Sequence, residues 1–294
     1  VVVTHPSGDP SLPKFTIPII GFTHLWERFL ALHPSLPPSA FHSELHALLS
    51  RETEGTTRST GSQVNFRNFW CTPPALLKII KDLFHLNAER FCNPLNFCPL
   101  FEHATTGSIE DQFWGFQYDA FLADWVDTSG FLNPEFKDSI TREDGVAYQG
   151  MAEMIHKARA AALDTTRPVR NVALIPFHKG CRKTFNLLNE GHPTQKVLMV
   201  FQPNTFSFWP YQVHLGTRSP FGFTPYRKTL ALVSWENEKA TSSWPLQSNH
   251  LSALASWCTE NLKETKALPP TFHPSLSRAA TLFSSPPPPS HLST

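Results

Sequence analysis

Residues Gln117 to Phe136 read QYDAFLADWVDTSGFLNPEF, and the rest of the chain is arranged around them. Tyr118 to Trp125 is an apolar run punctuated by Asp119 and Asp124, and its spacing predicts a strand. Thr128-Ser-Gly130 marks a turn, and Phe131-Leu132 begins a second short strand that ends in Asn133-Pro134-Glu135-Phe136. An apolar strand running into Asn-Pro-x-aromatic sets a carboxamide, a proline-held carbonyl and a ring at one strand tip. Strand tips are where open α/β sheets take their ligands. A planar base carrying an amino group suits that set of groups.

Outward from this stretch, helices and strands alternate. Thr72-Pro73-Pro74 predicts a helix start, with Thr72 as N-cap and the prolines in the first turn, followed by helical apolar spacing over Ala75–Phe84. Ala88–Cys92 reads as a first strand ending at Asn93-Pro94-Leu95-Asn96. Asp144–Leu163 has an apolar helical stripe with Asp144 placed to cap it. Arg170–Phe177, Lys196–Phe201 and Thr229–Trp235 read as buried strands, with a partner strand around Thr205–Trp209. The pattern predicts an α/β fold, a mostly parallel sheet with an antiparallel edge strand.

Flanking this region, residues 1–63 are rich in Pro, Ser, Thr and His and are expected to be weakly ordered, with helical stretches at Phe22–Leu32 and Ser39–Arg51. Residues 64–236 form the expected folded domain, and 237–294 a helix followed by a Pro-rich disordered tail. The 294 residues, 40% hydrophobic, suffice for a sizeable core. The longest apolar runs fall far short of the ~20 residues that span a bilayer, so no membrane is expected. Five cysteines without CxxC or zinc spacing read as reduced thiols of an intracellular protein, nuclear or cytoplasmic. The histidines form no ligand pattern, so no metal is expected. The formal charge of +1 hides an uneven distribution. Between Lys137 and Trp235 thirteen Lys and Arg face six Asp and Glu, a lean of +7 toward a polyanionic partner that a solvated face explains equally well.

Four blocks carry a resemblance: Trp70-Cys71-Thr72-Pro73-Pro74, Ala88-Glu89-Arg90-Phe91-Cys92-Asn93-Pro94-Leu95-Asn96, Asp119-Ala-Phe-Leu-Ala-Asp124-Trp125, and Asn133-Pro134-Glu135-Phe136. Together, in this order, they resemble the phage-type DNA N-6-adenine methyltransferase family. More loosely, they resemble the cap-specific adenosine N6-methyltransferases of messenger RNA and segments of mobile elements. The resemblance covers roughly residues 65 to 235. It implies a Rossmann-like, S-adenosylmethionine-dependent methyltransferase sheet and a nucleic-acid partner, DNA ahead of RNA. By the same resemblance Asn133, Pro134, Glu135 and Phe136 are the catalytic tetrad. Thr72, Pro73, Glu89, Phe91, Cys92, Asn93, Asn96, Asp119 and Asp124 border S-adenosylmethionine.

Chemistry agrees with those roles. Two acceptors on the N–H bonds of adenine N6, the Asn133 side-chain oxygen and the Pro134 carbonyl, favour a pyramidal nitrogen whose lone pair faces a sulfonium methyl. A stacked Phe136 adds roughly 1–3 kcal/mol. Two departures stand out: Glu89 where the family has Asp, and Glu135 where it has a second proline, which loosens the loop presenting Pro134. The Glu135 carboxylate either stabilises a cationic product or faces solvent. Read without the resemblance, Asn-Pro is an ordinary turn, Asp119 and Asp124 are caps, and Trp125 is core. A catalytically inactive nucleic-acid-binding module of a mobile element is the alternative function, and an interaction domain with Pro-rich tails is a third.

Overall fold

The computed structural model describes residues 1–17, 19–57, 70–134, 136–138, 140–141, 147–148, 150–210 and 224–261. Seven strands form the central sheet: β1 (Ala88–Arg90), β2 (His103–Thr106), β3 (Gln117–Tyr118), β4 (Gly130–Leu132), β5 (Arg170–Pro176), β6 (Gln195–Phe201) and β7 (Leu230–Glu236). Their spatial order is β3-β2-β1-β4-β5-β7-β6. All run parallel except β7, which is antiparallel to both β5 and β6. This is the doubly wound order, with one reversed strand inserted between the fifth and the sixth. The reversed strand is therefore one place in from the edge, not at it. A return from β6 brings β7 back antiparallel, and β7 then pairs on both sides. Strand order reverses between β1 and β4, so the switch point lies between Arg90 and Leu132, register partners in that pair.

Alternation along β5 divides the apolar interior in two. Val172 and Leu174 join Phe131, Leu230 and Leu232 in one cluster, beneath α1 (Ile19–Leu32), α2 (Pro38–Thr57), α3 (Pro74–Phe84) and α6 (Ser248–Asn261). Ala173 and Ile175 join Leu132, Val197, Val233 and Trp235 in the other, beneath α4 (Gly150–Ala161) and α5 (Arg182–Glu190). Covered on both faces, β5 and β7 are buried at every position, hence their continuous apolar sequence.

The N-terminal region, read from composition as weakly ordered, contributes Leu25, Phe29, Phe41, Leu45 and Leu48 to the first cluster. Arg51 on α2 donates to Asp111 at 2.5 Å, and the same carboxylate accepts from the Thr106 hydroxyl at 2.6 Å, at the end of β2. Both helical stretches expected here are present, as α1 and α2; what composition did not report is the apolar faces they bury against the sheet.

Three local expectations change. Residues 119–125 are a compact turn instead of a strand. Asp119 takes a left-handed φ of +61°, its carboxylate accepts from Phe121 N at 2.8 Å, and the Trp125 indole donates to Ala120 O at 2.8 Å. A side chain that bonds the backbone two residues on bends the chain and overrides apolar alternation. α4 starts at Gly150, whose φ of +44° interrupts a helical backbone, and Ala147–Tyr148 pairs with Ile140–Thr141 as a short hairpin. Asp144 lies outside the described residues. Finally, α3 is capped by Pro73 without a side-chain bond, and Thr72 stands one residue earlier, buried.

α5 draws its cap from across the fold. Both Asp138 carboxylate oxygens accept from its first turn, from Lys183 N at 2.9 Å and from Thr184 N at 3.1 Å and Oγ1 at 2.6 Å. Asp138→Ala is expected to cost about 1–2 kcal/mol of unfolding free energy in urea, the range of a lost N-cap. An unchanged midpoint would mean that the first turn of α5 satisfies itself.

Candidate functional site

The tips of β1 and β4, the two strands that flank the switch point, assemble most of the residues singled out in the sequence. At β4, Asn133 N donates to Arg90 O at 3.0 Å, extending the ladder one residue beyond the strand. Its carboxamide is half-buried and forms no hydrogen bond among the described residues. Pro134 is buried behind it, and Glu135 lies outside the described residues. The Phe136 ring stands edge-on with Phe208 at 5.7 Å and with Tyr226 at 5.6 Å between centroids. Phe208 belongs to a strand, Ser207–Pro210, that pairs with Trp70–Cys71 immediately before Thr72 and Pro73. The helix-start motif and the tetrad aromatic are thus brought to one side of the molecule through Phe208.

At β1, Phe91 takes a left-handed φ of +63°, the conformation that ordinarily favours glycine, and its ring meets Phe121 at 4.9 Å and Trp125 at 5.8 Å. Cys92 is buried, its thiol pushed well up by burial and by the neighbouring Glu89 and Asp111 carboxyls. The following loop closes on itself. Asn93 N donates to Asn96 Oδ1 at 2.7 Å, while Asn93 Oδ1 accepts from Leu95 N at 2.9 Å and Asn96 N at 3.0 Å. The carboxamides thereby do what glycines do in the usual nucleotide-binding turn: they hold a tight bend.

Glu89 projects into the interior at 1% exposure, and its Oε2 accepts from Cys98 N at 2.7 Å. Burial raises its pKa from 4.5 to about 8, against the lowering effect of that amide. The folded protein therefore binds this proton more tightly than the unfolded chain does. Its contribution to stability is complete below pH 4.5 and declines as pH rises toward about 8. Glu89→Gln keeps an acceptor for Cys98 N without a titrating proton. Its melting temperature is expected to lose this decline and to exceed that of the wild type above the folded pKa. Parallel pH profiles for both proteins would assign the decline elsewhere.

The opposite face of β1 carries Arg90, which is 2% exposed. It donates to Asp124 O at 3.1 Å and to Thr128 O at 2.8 Å, and lies over the Trp125 ring at 5.3 Å. A Cβ at Gly130 would come within 2.9 Å of Arg90 Nε, so the glycine makes room for the guanidinium. Asp124 itself is exposed, its carboxylate accepting from Val126 N at 2.7 Å, and that bond lowers its pKa. Asp119 and Asp124 thus both hold turns on the described residues, Asp119 in the turn whose Phe121 ring meets Phe91.

Sequence reasoning missed Phe208 and Tyr226, the ring partners of Phe136, and Asp138. The first two carry no signal, being about seventy and ninety residues away in the chain. Asp138, two residues past the tetrad, was visible only as an unassigned charge. One cleft of about 610 Å³ lies at the other end of the sheet, lined by His85, Asn87, Asp127, Arg167 and Trp244 among others. It opens at the N-terminal ends of β1 and β4, opposite the ends that carry Phe91 and Asn133.

The fold and these tips define an open, doubly wound α/β protein with its candidate site at the topological switch point. No protein-family model matches the chain, and no curated protein matches it. Among the described residues no group of three or more His, Cys, Asp and Glu is placed to hold a metal ion, and no helix is long and apolar enough to cross a membrane.

Proposed function

We propose that this chain is an S-adenosylmethionine-dependent methyltransferase acting on the N6 amino group of adenine in DNA or RNA. The observation that carries the reading is the Asn133 carboxamide, half-exposed and free of hydrogen bonds among the described residues at the tip of β4; the Pro134 carbonyl, next in the chain, would be the second acceptor. Two acceptors there match the two N–H bonds of an exocyclic amine. The seven-stranded sheet and the resemblance over residues 65 to 235 support the same reading.

The donor set fits the methyl donor. S-adenosylmethionine presents an ammonium, a carboxylate, two ribose hydroxyls and an adenine ring. Asp119 would offer an acceptor, the Asn93 and Asn96 carboxamides would offer amides, and the half-exposed Phe91 ring would offer an apolar face, whereas Glu89 is turned inward onto Cys98 N. Bound there, the donor supplies an electrophilic methyl group. The chain's own work is alignment: Asn133 and Pro134 orient the amine, Phe136 borders the base, and the buried β1 tip keeps water away. No general base is needed, because the amine loses its proton after the transfer has made it cationic.

One observation favours a second reading, an inactive nucleic-acid-binding module. The amides of residues 93–98 are engaged by Asn93, Asn96 and Glu89 themselves. Titration calorimetry with S-adenosylmethionine separates the two. Heat of binding supports the enzyme, and silence with retained oligonucleotide binding selects the module.

A further inference from the structure

Beyond Phe136 the fold gathers cations from two separate segments. Lys179, Arg182 and Lys183 occupy the turn after β5 and the first turn of α5, and Arg227 and Lys228 precede β7. All five are exposed. The segments touch: a Cβ on Gly180 would lie 3.6 Å from Lys228 Nζ, and His178 Nε2 lies 3.4 Å from the Tyr226 hydroxyl. Tyr226 in turn meets the Phe136 ring at 5.6 Å, so this rim adjoins the tetrad. Asp138 lies close to it, and its oxygens are committed to the first turn of α5. Among the described residues none of the five cations forms an ion pair with a carboxylate, whereas Lys78, Lys196, Arg51, Arg167 and Arg170 do. Burial first, and then proximity to Lys228, disfavour protonation of His178, with Asp138 opposing them.

We infer that this rim is a phosphate-binding track that holds the sugar–phosphate backbone of a single-stranded nucleic acid beside the β4 tip. Exposed, uncompensated cations interleaved with aromatic rings are how sequence-tolerant strand binding is built. The charges follow the backbone and the rings accept bases. The inference rests on the reading of that tip as a site for a nucleic-acid base, and it specifies where the rest of the strand runs.

Fluorescence anisotropy with end-labelled single-stranded DNA and RNA oligonucleotides tests it on the full chain, in the wild type and in the variant Lys179→Ala/Arg182→Ala/Lys183→Ala/Lys228→Ala. All four side chains are exposed, so the fold should persist, which circular dichroism checks. Affinity at low salt is expected to fall about tenfold or more, and the salt slope by about 3, from ~0.7 per single-strand phosphate contact. Lys179→Arg/Lys183→Arg/Lys228→Arg should bind like the wild type. Loss on DNA, on RNA or on both supports the track and identifies the polymer. Equal affinity and slope in wild type and alanine variant, or no binding of either polymer by the wild type, overturns it. A wild type that binds through the rim yet transfers no methyl group keeps the track and removes the enzymatic reading.

Discussion

Glu236→Ala is expected to lower the unfolding free energy by about 3–5 kcal/mol, the cost of leaving one member of a buried ion pair alone. Arg170 and Glu236 face each other in the register of β5 and β7, at side-chain exposures of 0% and 1%, with Arg170 Nε 2.5 Å from Glu236 Oε2. The guanidinium also donates to Trp244 O at 2.8 Å and lies 5.8 Å from the centre of that ring, so it cannot swing out to water without undoing the C-terminal packing. Lys196 reaches the same carboxylate from a half-exposed position, where an ion pair contributes little. Burial already disfavours the charged form of Arg170, and Glu236 opposes that effect. The double replacement Arg170→Met/Glu236→Leu removes both charges and is expected to recover most of the loss. Urea unfolding of the three proteins checks this; a single-variant loss below about 1 kcal/mol would mean that water reaches the guanidinium.

Asn133→Ala is the change with the largest expected effect on activity. Methyl transfer to adenine should fall at least about 100-fold, in line with deleting one oriented polar group at a reacting centre. Affinity for S-adenosylmethionine should stay within about twofold, because Asn133 sits at the β4 tip and the expected donor contacts sit at β1. Unfolding should scarcely change, since the carboxamide forms no hydrogen bond among the described residues. A variant that lost donor binding as well would place Asn133 in the donor site instead.

Legibility from sequence tracked how local the cause was. β5, β6 and β7 were readable because strands covered on both faces must be apolar at nearly every position, and α3 because its apolar spacing is helical. Residues 119–125 were not, since Asp119 bends the backbone with its own carboxylate while the run keeps its apolar composition. The place of β7 inside the sheet was hidden too, because pairing partners are a property of topology and not of a strand's own residues. At the candidate site, the sequence placed Asn133 and the Glu89–Asn96 block at strand ends, and their convergence follows from parallel strands ending on one side. What Phe136 touches, what caps α5, and the Arg170–Glu236 pair 66 residues apart required the fold.

The claim that matters most is that the β4 tip presents an adenine amino group to a methyl donor. The most direct measurement is mass-spectrometric detection of N6-methyladenine. The chain and its Asn133→Ala variant are each incubated with isotopically labelled S-adenosylmethionine and adenine-containing single strands of DNA, RNA or capped RNA. Labelled N6-methyladenine from the wild type on at least one polymer, and at most a trace from the variant, is the expected result; no product from the wild type on any of them, or equal product from both proteins, contradicts it.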